Sequence, residues 1–260
     1  IFVILSFMGL ALTGMMLKFA GMPWAKALSD IFGGVETAGR IHRVSAVITF
    51  GYFFTHFFSL LRSKIKTRTP WRQVLFGSRS LWFNRKDFRD FIGSIKWFLG
   101  FGPRPKYGRW TYWEKFDYMA VFWGVTVIGI SGLILWFPEF FTKFLPGWLI
   151  NVAMIVHSDE ALLAVGFIFT IHFFNTHLRP ESFPLDPVIF TGFVSLDEYR
   201  EDRPEEYSYL KESGKLKKAV VLREIDPKRL LTVRIFGYIF LLTGISLIIL
   251  IIYSMLIGYK

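Results

Sequence analysis

Four of the chain's five histidines lie in two apolar stretches and form two pairs of similar spacing. His42 and His56 are fourteen residues apart, and His157 and His172 are fifteen apart. In an α-helix, fourteen residues end about 40° short of a whole number of turns and rise about 21 Å. Each pair therefore places two imidazoles on roughly one face of a helix, near its opposite ends. Because ionisable side chains inside a membrane span are costly, four of them on two helices indicate function.

The pairing predicts two sites of two imidazoles each. If the two helices run in the same direction, His42 faces His157 and His56 faces His172. Zinc sites need three or four ligands at short spacing, whereas a haem iron needs only two axial ligands. The pattern therefore predicts two non-covalent b-type haems, which transfer electrons without binding substrate because both axial positions are filled. His177 lies about 160° from the face of His157 and is predicted at the headgroup level.

The elements that must position these histidines are membrane helices. The chain has 260 residues, of which 53% are hydrophobic, and a formal net charge of +11, which excludes a soluble globular protein and a disordered tail. Stretches of about 20 apolar residues can cross a bilayer as helices. Five are predicted, at residues 1–19, 41–61, 116–137, 148–174 and 235–257. We expect an all-α integral membrane protein, a single membrane domain over residues 1–260, whose first four helices form a haem-binding four-helix bundle.

The segments between the predicted helices set the orientation. Residues 62–115 contain fourteen Lys and Arg, whereas residues 138–147 contain only Lys143. The basic segment marks the cytoplasmic side, which places the C-terminus outside and makes residues 178–229 a second, mixed-charge cytoplasmic loop. We expect a multi-pass protein of a bacterial-type inner membrane, in contact with lipid. The first loop contains KDFRDFIGSIKWFLGFG, residues 86–102, which predicts either an interfacial helix or an ordinary amphipathic loop helix.

Several chemistries and partners are excluded by what the sequence lacks. It has no cysteine, which excludes disulfides, thiolate-bound iron–sulfur clusters and covalently attached haem. No nucleic-acid motif accompanies the basic charge, so no nucleic-acid partner is expected. No nucleotide-binding fingerprint and no Ser/His/Asp constellation is visible. Because the chain begins with Ile1 inside an apolar stretch, we expect further sequence upstream.

The two halves of the chain share a pattern at an offset of 115 residues. The offset aligns Gly9 with Gly124, Gly14 with Gly129, His42 with His157, and Gly51 with Gly166. Gly51 and Gly166 lie between the two histidines of their helices, where a flat macrocycle can approach the backbone. Since glycine is common in membrane helices, the offset is supporting evidence only.

The histidine spacing within a predicted four-helix bundle resembles the di-haem b-type cytochromes. The texts GRWTYWEKFDYMAVFWG (residues 108–124) and HLRPESFPLDP (residues 177–187) are similar to the cytochrome b subunits of formate dehydrogenases and hydrogenases. A broader similarity is to the cytochrome b of bc-type quinol complexes. The resemblance implies that His42 and His157 ligate the outer haem, and that His56 and His172 ligate the inner one.

The resemblance also implies a role and partners. The chain would be the quinone-reactive subunit of a respiratory oxidoreductase, exchanging electrons between menaquinone or ubiquinone and a partner on the outer face. The partner would be a c-type cytochrome, an iron–sulfur subunit or a catalytic redox subunit. Two other classes of function remain open, a metal or ion transporter that uses the intramembrane histidines, and a passive anchor for another subunit.

Arginines near the histidines extend the predicted haem sites. Arg40 and Arg43 flank His42, while Arg62 and Arg179 follow the inner ligands by six and seven residues. Guanidinium groups suit haem propionates. The alternative is that these arginines anchor the helix ends in the headgroup layer.

A quinone site needs a titratable group within hydrogen-bond reach. The resemblance places this site at the inner end, in a pocket lined by Tyr112, Glu114, Asp117, Asn175 and His177. The alternative is the outer end, where Asp159 and Glu160 follow His157 and provide a proton exit, unless Asp159 simply pairs with Arg43.

Overall fold

The protein is built from helices. The computed structural model describes residues 1–77, 79–179, 182–183, 185–221 and 226–258, and it is 78% helical with no strand among those residues. Within them, four helices are long and apolar enough to cross a membrane. The prediction of an all-α, multi-pass membrane protein is therefore confirmed at this level.

The helices are numbered in chain order. Their bounds are α1 Phe2–Lys18, α2 Pro23–Ile31, α3 Val35–Thr67, α4 Trp71–Phe76, α5 Arg85–Phe98, α6 Tyr112–Trp136, α7 Pro138–Phe141, α8 Trp148–Phe167, α9 Val188–Thr191, α10 Leu196–Asp202, α11 Pro204–Glu212, α12 Leu216–Ala219 and α13 Pro227–Ile257. Helix α8 continues through two π-helical turns, Ile168–His172 and Phe174–Leu178.

Four predicted spans coincide with the candidate membrane helices α3, α6, α8 with its π turns, and α13. Helices α3 and α13 begin before the predicted apolar stretches and include polar residues at their ends. The first predicted span corresponds to α1, an apolar helix of 17 residues. A fifth membrane crossing, by α1, stays a prediction.

The end of α8 departs from regular α-helical geometry. The N–H of Phe173 donates to the carbonyl of Ile168, five residues earlier, which is the hydrogen bond of a π turn. The hydroxyls of Thr170 and Thr176 donate to the carbonyls four residues before them, of Gly166 and His172, at 2.6 and 2.7 Å. Such bonds compete with the helical ladder. Each π turn holds one residue more than an α turn, so side chains beyond Ile168 point in directions that a regular helix would not give them.

The chain divides into two compact units, and the first contains most of the membrane helices. It comprises Ile1–Ser59, Val121–Asp186 and Arg234–Lys260. Its core joins buried side chains of α1, α8 and α13, among them Met15, Phe169 and Leu247. A Cβ at Gly244 of α13 would lie within 3 Å of the rings of Phe169 and Phe173, so glycine is what allows these helices to approach so closely.

The second unit, Leu60–Ala120 and Pro187–Val233, is held by ion pairs. Lys115 and Asp87 form a pair at 2.8 Å in which both side chains are less than a tenth exposed. Arg203 donates two hydrogen bonds of 2.7 Å to the carboxylate of Glu114. Burial alone would lower the pKa of Arg203, but the hydrogen bonds and charge of Glu114 raise it above its usual value. In these two pairs each charged group that is removed from water has a partner of opposite sign.

Helices α4, α5 and α9 to α12 all lie in the two segments predicted as cytoplasmic loops. Helix α5 covers most of the amphipathic stretch at residues 86–102, and Asn84 and Asp87 form a capping box at its start.

Candidate metal centre

The structure brings His42 of α3 and His157 of α8 together. Their ring centroids are 6.1 Å apart and the ring planes make an angle of 66°. Both residues lie in regular α-helical segments of the first unit. Two side chains 115 residues apart in sequence therefore form one bis-imidazole site.

Each of the two rings is oriented by a hydrogen bond through Nδ1. His157 Nδ1 lies 2.9 Å from the carbonyl oxygen of Ile128, which can only accept, so Nδ1 carries the proton. His42 Nδ1 lies 2.9 Å from Oγ1 of Thr13, whose own hydroxyl donates to the carbonyl of Gly9. Thr13 therefore accepts from His42, and both rings carry the proton on Nδ1. This tautomer leaves Nε2 as a lone-pair donor, which is the form in which imidazole binds metals.

The two hydrogen bonds occupy equivalent positions in the two halves of the chain. Thr13 and Ile128 each precede their histidine by 29 residues, and the 115-residue offset that aligns the histidines aligns these two residues as well. One half uses a side-chain hydroxyl and the other a backbone carbonyl. The helix pairs α1–α3 and α6–α8 thus present their histidines in the same way.

A glycine of a neighbouring helix lies beside each ring. A Cβ at Gly14 would lie 3.5 Å from His42 Cε1, and a Cβ at Gly132 would lie 2.9 Å from His157 Cε1. Farther along α3 and α8, a Cβ at Gly51 or Gly166 would meet nothing within 4 Å. The helices therefore leave room beside the backbone between the paired histidines of each helix.

These residues fit a metal that takes two axial imidazoles. With metal–nitrogen bonds of roughly 2 Å, two imidazoles on opposite sides of one ion place their ring centres about 6 Å apart. The observed 6.1 Å agrees with that distance. Among the residues that the structure describes, no group of three or more His, Asp or Glu side chains comes together as a metal site. The pair itself offers two imidazole nitrogens, the number of protein ligands that a bis-histidine haem takes.

The other two predicted ligands lie in a different setting. His56 is exposed on α3, and its ring lies 6.3 Å from the ring of Phe122. His172 is half-buried and ends the first π turn of α8. In a regular helix the fifteen residues from His157 to His172 would put their side chains about 60° apart. The π turn adds one residue, so the fifteen residues from His157 to His172 rotate about the helix axis as far as the fourteen from His42 to His56. His172 therefore returns to nearly the same face as His157.

Two of the four predicted propionate partners, Arg40 and Arg43, make other contacts. Arg40 donates to Glu36 at 2.6 Å on the exposed side of α3. The guanidinium of Arg43 lies 5.8 Å from the ring of Trp136, a cation–π contact. Arg62 is exposed, and Arg179 is half-buried. The contacts of Arg40 and Arg43 hold them beside the first turns of α3, near His42.

The outer carboxylates are engaged on the surface of the first unit. Asp159 forms an ion pair with Lys18 at 2.8 Å, and Lys18 also donates to the hydroxyl of Ser158. Asp159 therefore pairs with Lys18, and the alternative pairing with Arg43 is wrong. The indole N–H of Trp123 lies 3.4 Å from Glu160, a long hydrogen bond.

The residues proposed for a quinone pocket fall into both units. In the first unit, His177 is buried against Phe173 with ring centroids 5.8 Å apart, and Asn175 is half-buried. The prediction that His177 is at the headgroup level is not tested by this burial. In the second unit, Tyr112 packs on Phe91, with ring centroids 5.5 Å apart.

Two acidic residues of the proposed pocket differ in their surroundings. The carboxylate of Glu114 accepts hydrogen bonds from Arg203 and from the backbone N–H and hydroxyl of Thr111. Glu114 is thus an N-terminal capping residue of α6 and is occupied by structural bonds. Asp117, one turn later, is half-buried.

Sequence reasoning missed the residues that orient the histidines. Thr13, the carbonyl of Ile128 and Gly132 touch the two rings, and Ser131 Oγ lies 3.4 Å from His157 Nδ1. The 115-residue offset places Thr13 and Ile128 at equivalent positions, but their residue types differ, so the sequence did not mark them. Gly132 is likewise unmarked, since the equivalent position is Leu17. No protein-family model matches this sequence, and a search of curated proteins finds no match to it.

Proposed function

We propose that the chain is a membrane electron-transfer subunit that holds two b-type haems and connects a quinone pool to a partner redox subunit. The observation that carries the proposal is the His42–His157 pair, with ring centroids 6.1 Å apart and both Nδ1 atoms engaged as donors. A neutral imidazole has one donor nitrogen and one acceptor nitrogen, and in both rings the donor is Nδ1. Two rings that face each other, each held in the metal-binding tautomer by a different helix, are better explained by a shared ion.

A haem held by this pair would supply a one-electron iron couple. The chain's own residues orient the ligands. Thr13 and the Ile128 carbonyl keep Nε2 deprotonated, while Gly132 allows α6 to lie close to the ring of His157. In this proposal α1, α3, α6 and α8 form the four-helix bundle, and α13 is the fifth membrane helix.

The second haem is assigned to His56 and His172. The support is the backbone of α8, because its π turn brings His172 towards the face that carries His157. Gly51 and Gly166 lie between the two histidines of α3 and α8, where a Cβ would have no neighbour within 4 Å. Both features favour a second flat ligand farther along the same two helices.

Quinone binding is assigned to the inner end of α8, with His177 and Asn175 of the first unit as candidates. The outer alternative is less favourable because Asp159 already pairs with Lys18, and a proton exit there would have to break that pair. The excess of Lys and Arg in residues 62–115 favours the cytoplasmic side of a bacterial-type inner membrane for the inner end of the helices. The C-terminus would then lie outside. The partner, a c-type cytochrome, an iron–sulfur subunit or a catalytic redox subunit, would then meet the outer face.

The experiment that tests the proposal is a reduced-minus-oxidised absorption spectrum of the purified chain in detergent, with haem counted per chain. We expect a b-type α band and two haems per chain. A chain purified from a haem-sufficient host that shows no such band would overturn the proposal. Metal analysis of the same sample distinguishes the transporter alternative, which would give a bound metal without haem.

A further inference from the structure

In helix α5 of the second unit, the buried face is polar and the exposed face is apolar. Its buried side chains are polar, with Asp87 paired to Lys115 at 2.8 Å and Ser94 hydrogen-bonded to the hydroxyl of Tyr107 at 2.8 Å. Asp90 on the same side pairs with Lys86. A helix that packs on a water-soluble domain buries its apolar face and exposes its polar one. In α5 the polar face is the one that the protein covers.

The exposed face of α5 is apolar along its whole length. Its members, with their exposed fractions, are Phe88 69%, Phe91 44%, Ile92 37%, Ile95 41%, Phe98 68% and Leu99 62%. At about 100° per residue they fall within a stripe about 120° wide. A contiguous apolar patch of this kind on a protein surface marks contact with lipid or with another protein.

A row of basic side chains borders that stripe. Arg85, Arg89 and Lys96 are exposed and lie along one edge of the apolar face, about 40° apart in total. They differ from Lys86, which is paired with Asp90. Apolar side chains flanked by a row of Lys and Arg are typical of helices that lie in the plane of a membrane interface.

The anchoring of α5 places it at the depth of the membrane surface. Within the second unit it contacts the first turn of α6, through Asp87 with Lys115 and through the ring contact of Phe91 with Tyr112. Helix α6 is one of the four helices that are apolar and long enough to cross a membrane. A helix fixed to the end of a membrane-crossing helix lies where the headgroups are.

We propose that α5 lies in the headgroup layer of the bilayer beside the start of α6, with its apolar face towards the acyl chains and Arg85, Arg89 and Lys96 against lipid phosphates. Of the two sequence-based interpretations, this selects the interfacial helix, because an ordinary amphipathic loop helix would bury the apolar face. Lipid is favoured over a protein partner by the basic row and by the attachment to α6. The inference depends on the membrane location of α6 and is independent of haem binding.

Site-directed spin labelling tests this directly, since the chain has no native cysteine and every introduced one is unique. Phe88→Cys, Ile95→Cys and Phe98→Cys carry the label on the apolar face, and Ser213→Cys, exposed after α11 in the same unit, is the control. The full chain is reconstituted in nanodiscs of phosphatidylethanolamine and phosphatidylglycerol. Collision of each label with oxygen, which concentrates in the bilayer, is compared with collision with a water-soluble nickel chelate.

We expect labels at 88, 95 and 98 to collide several-fold more with oxygen than with nickel, and the label at 213 to show the reverse. Nickel accessibility at 88, 95 and 98 equal to that at 213 would overturn the proposal, because the face would then be in water. Protection from both reagents would also overturn it, because protein would then cover the face. A variant is used only if its elution volume and its helical circular dichroism match those of the parent. A variant that fails this criterion is replaced by Leu99→Cys on the same face.

Discussion

The His42–His157 pair and the proposed His56–His172 pair lie on the same two helices, α3 and α8, in different backbone surroundings. At the first pair both helices are regular, and α1 and α6 each provide an acceptor for one Nδ1. At the proposed second pair α8 has changed to π turns and His56 is exposed on α3. Nearly equal spacing in sequence therefore comes with different backbone geometry at the two levels.

The largest effect is expected from removing a ligand. His42→Ala and His157→Ala should each lower the haem content from two to about one per chain, and both should remove the same haem, because each takes one of two axial bonds from one iron. His56→Ala and His172→Ala should remove the other haem. Pyridine haemochrome counts and low-temperature difference spectra measure this.

The matched control for ligand loss is His177→Ala, which should retain both haems because His177 belongs to neither pair. If His42→Ala removed the haem that depends on His56, the assignment of two separate levels would be wrong.

Quinone chemistry should distinguish the two ends of the helices. His177→Gln should slow quinone-coupled haem reduction by on the order of 10²-fold while haem is retained, since it removes the side chain proposed to exchange protons with quinone. Stopped-flow reduction by a quinol analogue measures the rate. The double variant Asp159→Asn, Glu160→Gln serves as the control and should reduce at the parental rate; the opposite pattern would move the quinone site to the outer end.

A smaller effect is expected at the hydrogen bond to His42. Thr13→Val removes the acceptor of the Nδ1 proton and should weaken haem binding about tenfold, as loss of partners that orient metal ligands usually does. Thr13→Ser keeps the hydroxyl and should bind haem like the parent. Haem transfer to apo-myoglobin measures retention, and the affected haem should be the one that His42→Ala removes; equal retention in Thr13→Val and Thr13→Ser would contradict the assigned tautomer.

The smallest effect is expected at the hydrogen bond to His157. Its Nδ1 donates to a backbone carbonyl at 2.9 Å, and Ser131 Oγ is farther away at 3.4 Å. Ser131→Ala should therefore change haem retention by less than about 0.5 kcal/mol, in contrast to Thr13→Val at the equivalent ring. The same transfer assay compares the two variants, and a loss as large as that of Thr13→Val would show that Ser131, rather than the carbonyl, orients His157.

The sequence by itself determined the class of protein and the positions of the histidines. Hydropathy located the four long helices, because the length of an apolar run and the cost of an unsatisfied backbone in lipid are local properties. The 115-residue offset related His42 to His157, and α3 and α8 are regular where these residues lie. The partners of Nδ1 were not marked, because Thr13 and Ile128 differ in type and one acts through its side chain, the other through its backbone.

Only the tertiary structure decided which groups meet across helices. The ion pair of Asp159 with Lys18 and that of Glu114 with Arg203 each join segments that the sequence pattern does not bring together. The same holds for α5, whose amphipathic period was visible while its direction was not. A periodic pattern gives two faces but not which one is buried, and Lys115 and Tyr107 settle this by pairing with its polar side.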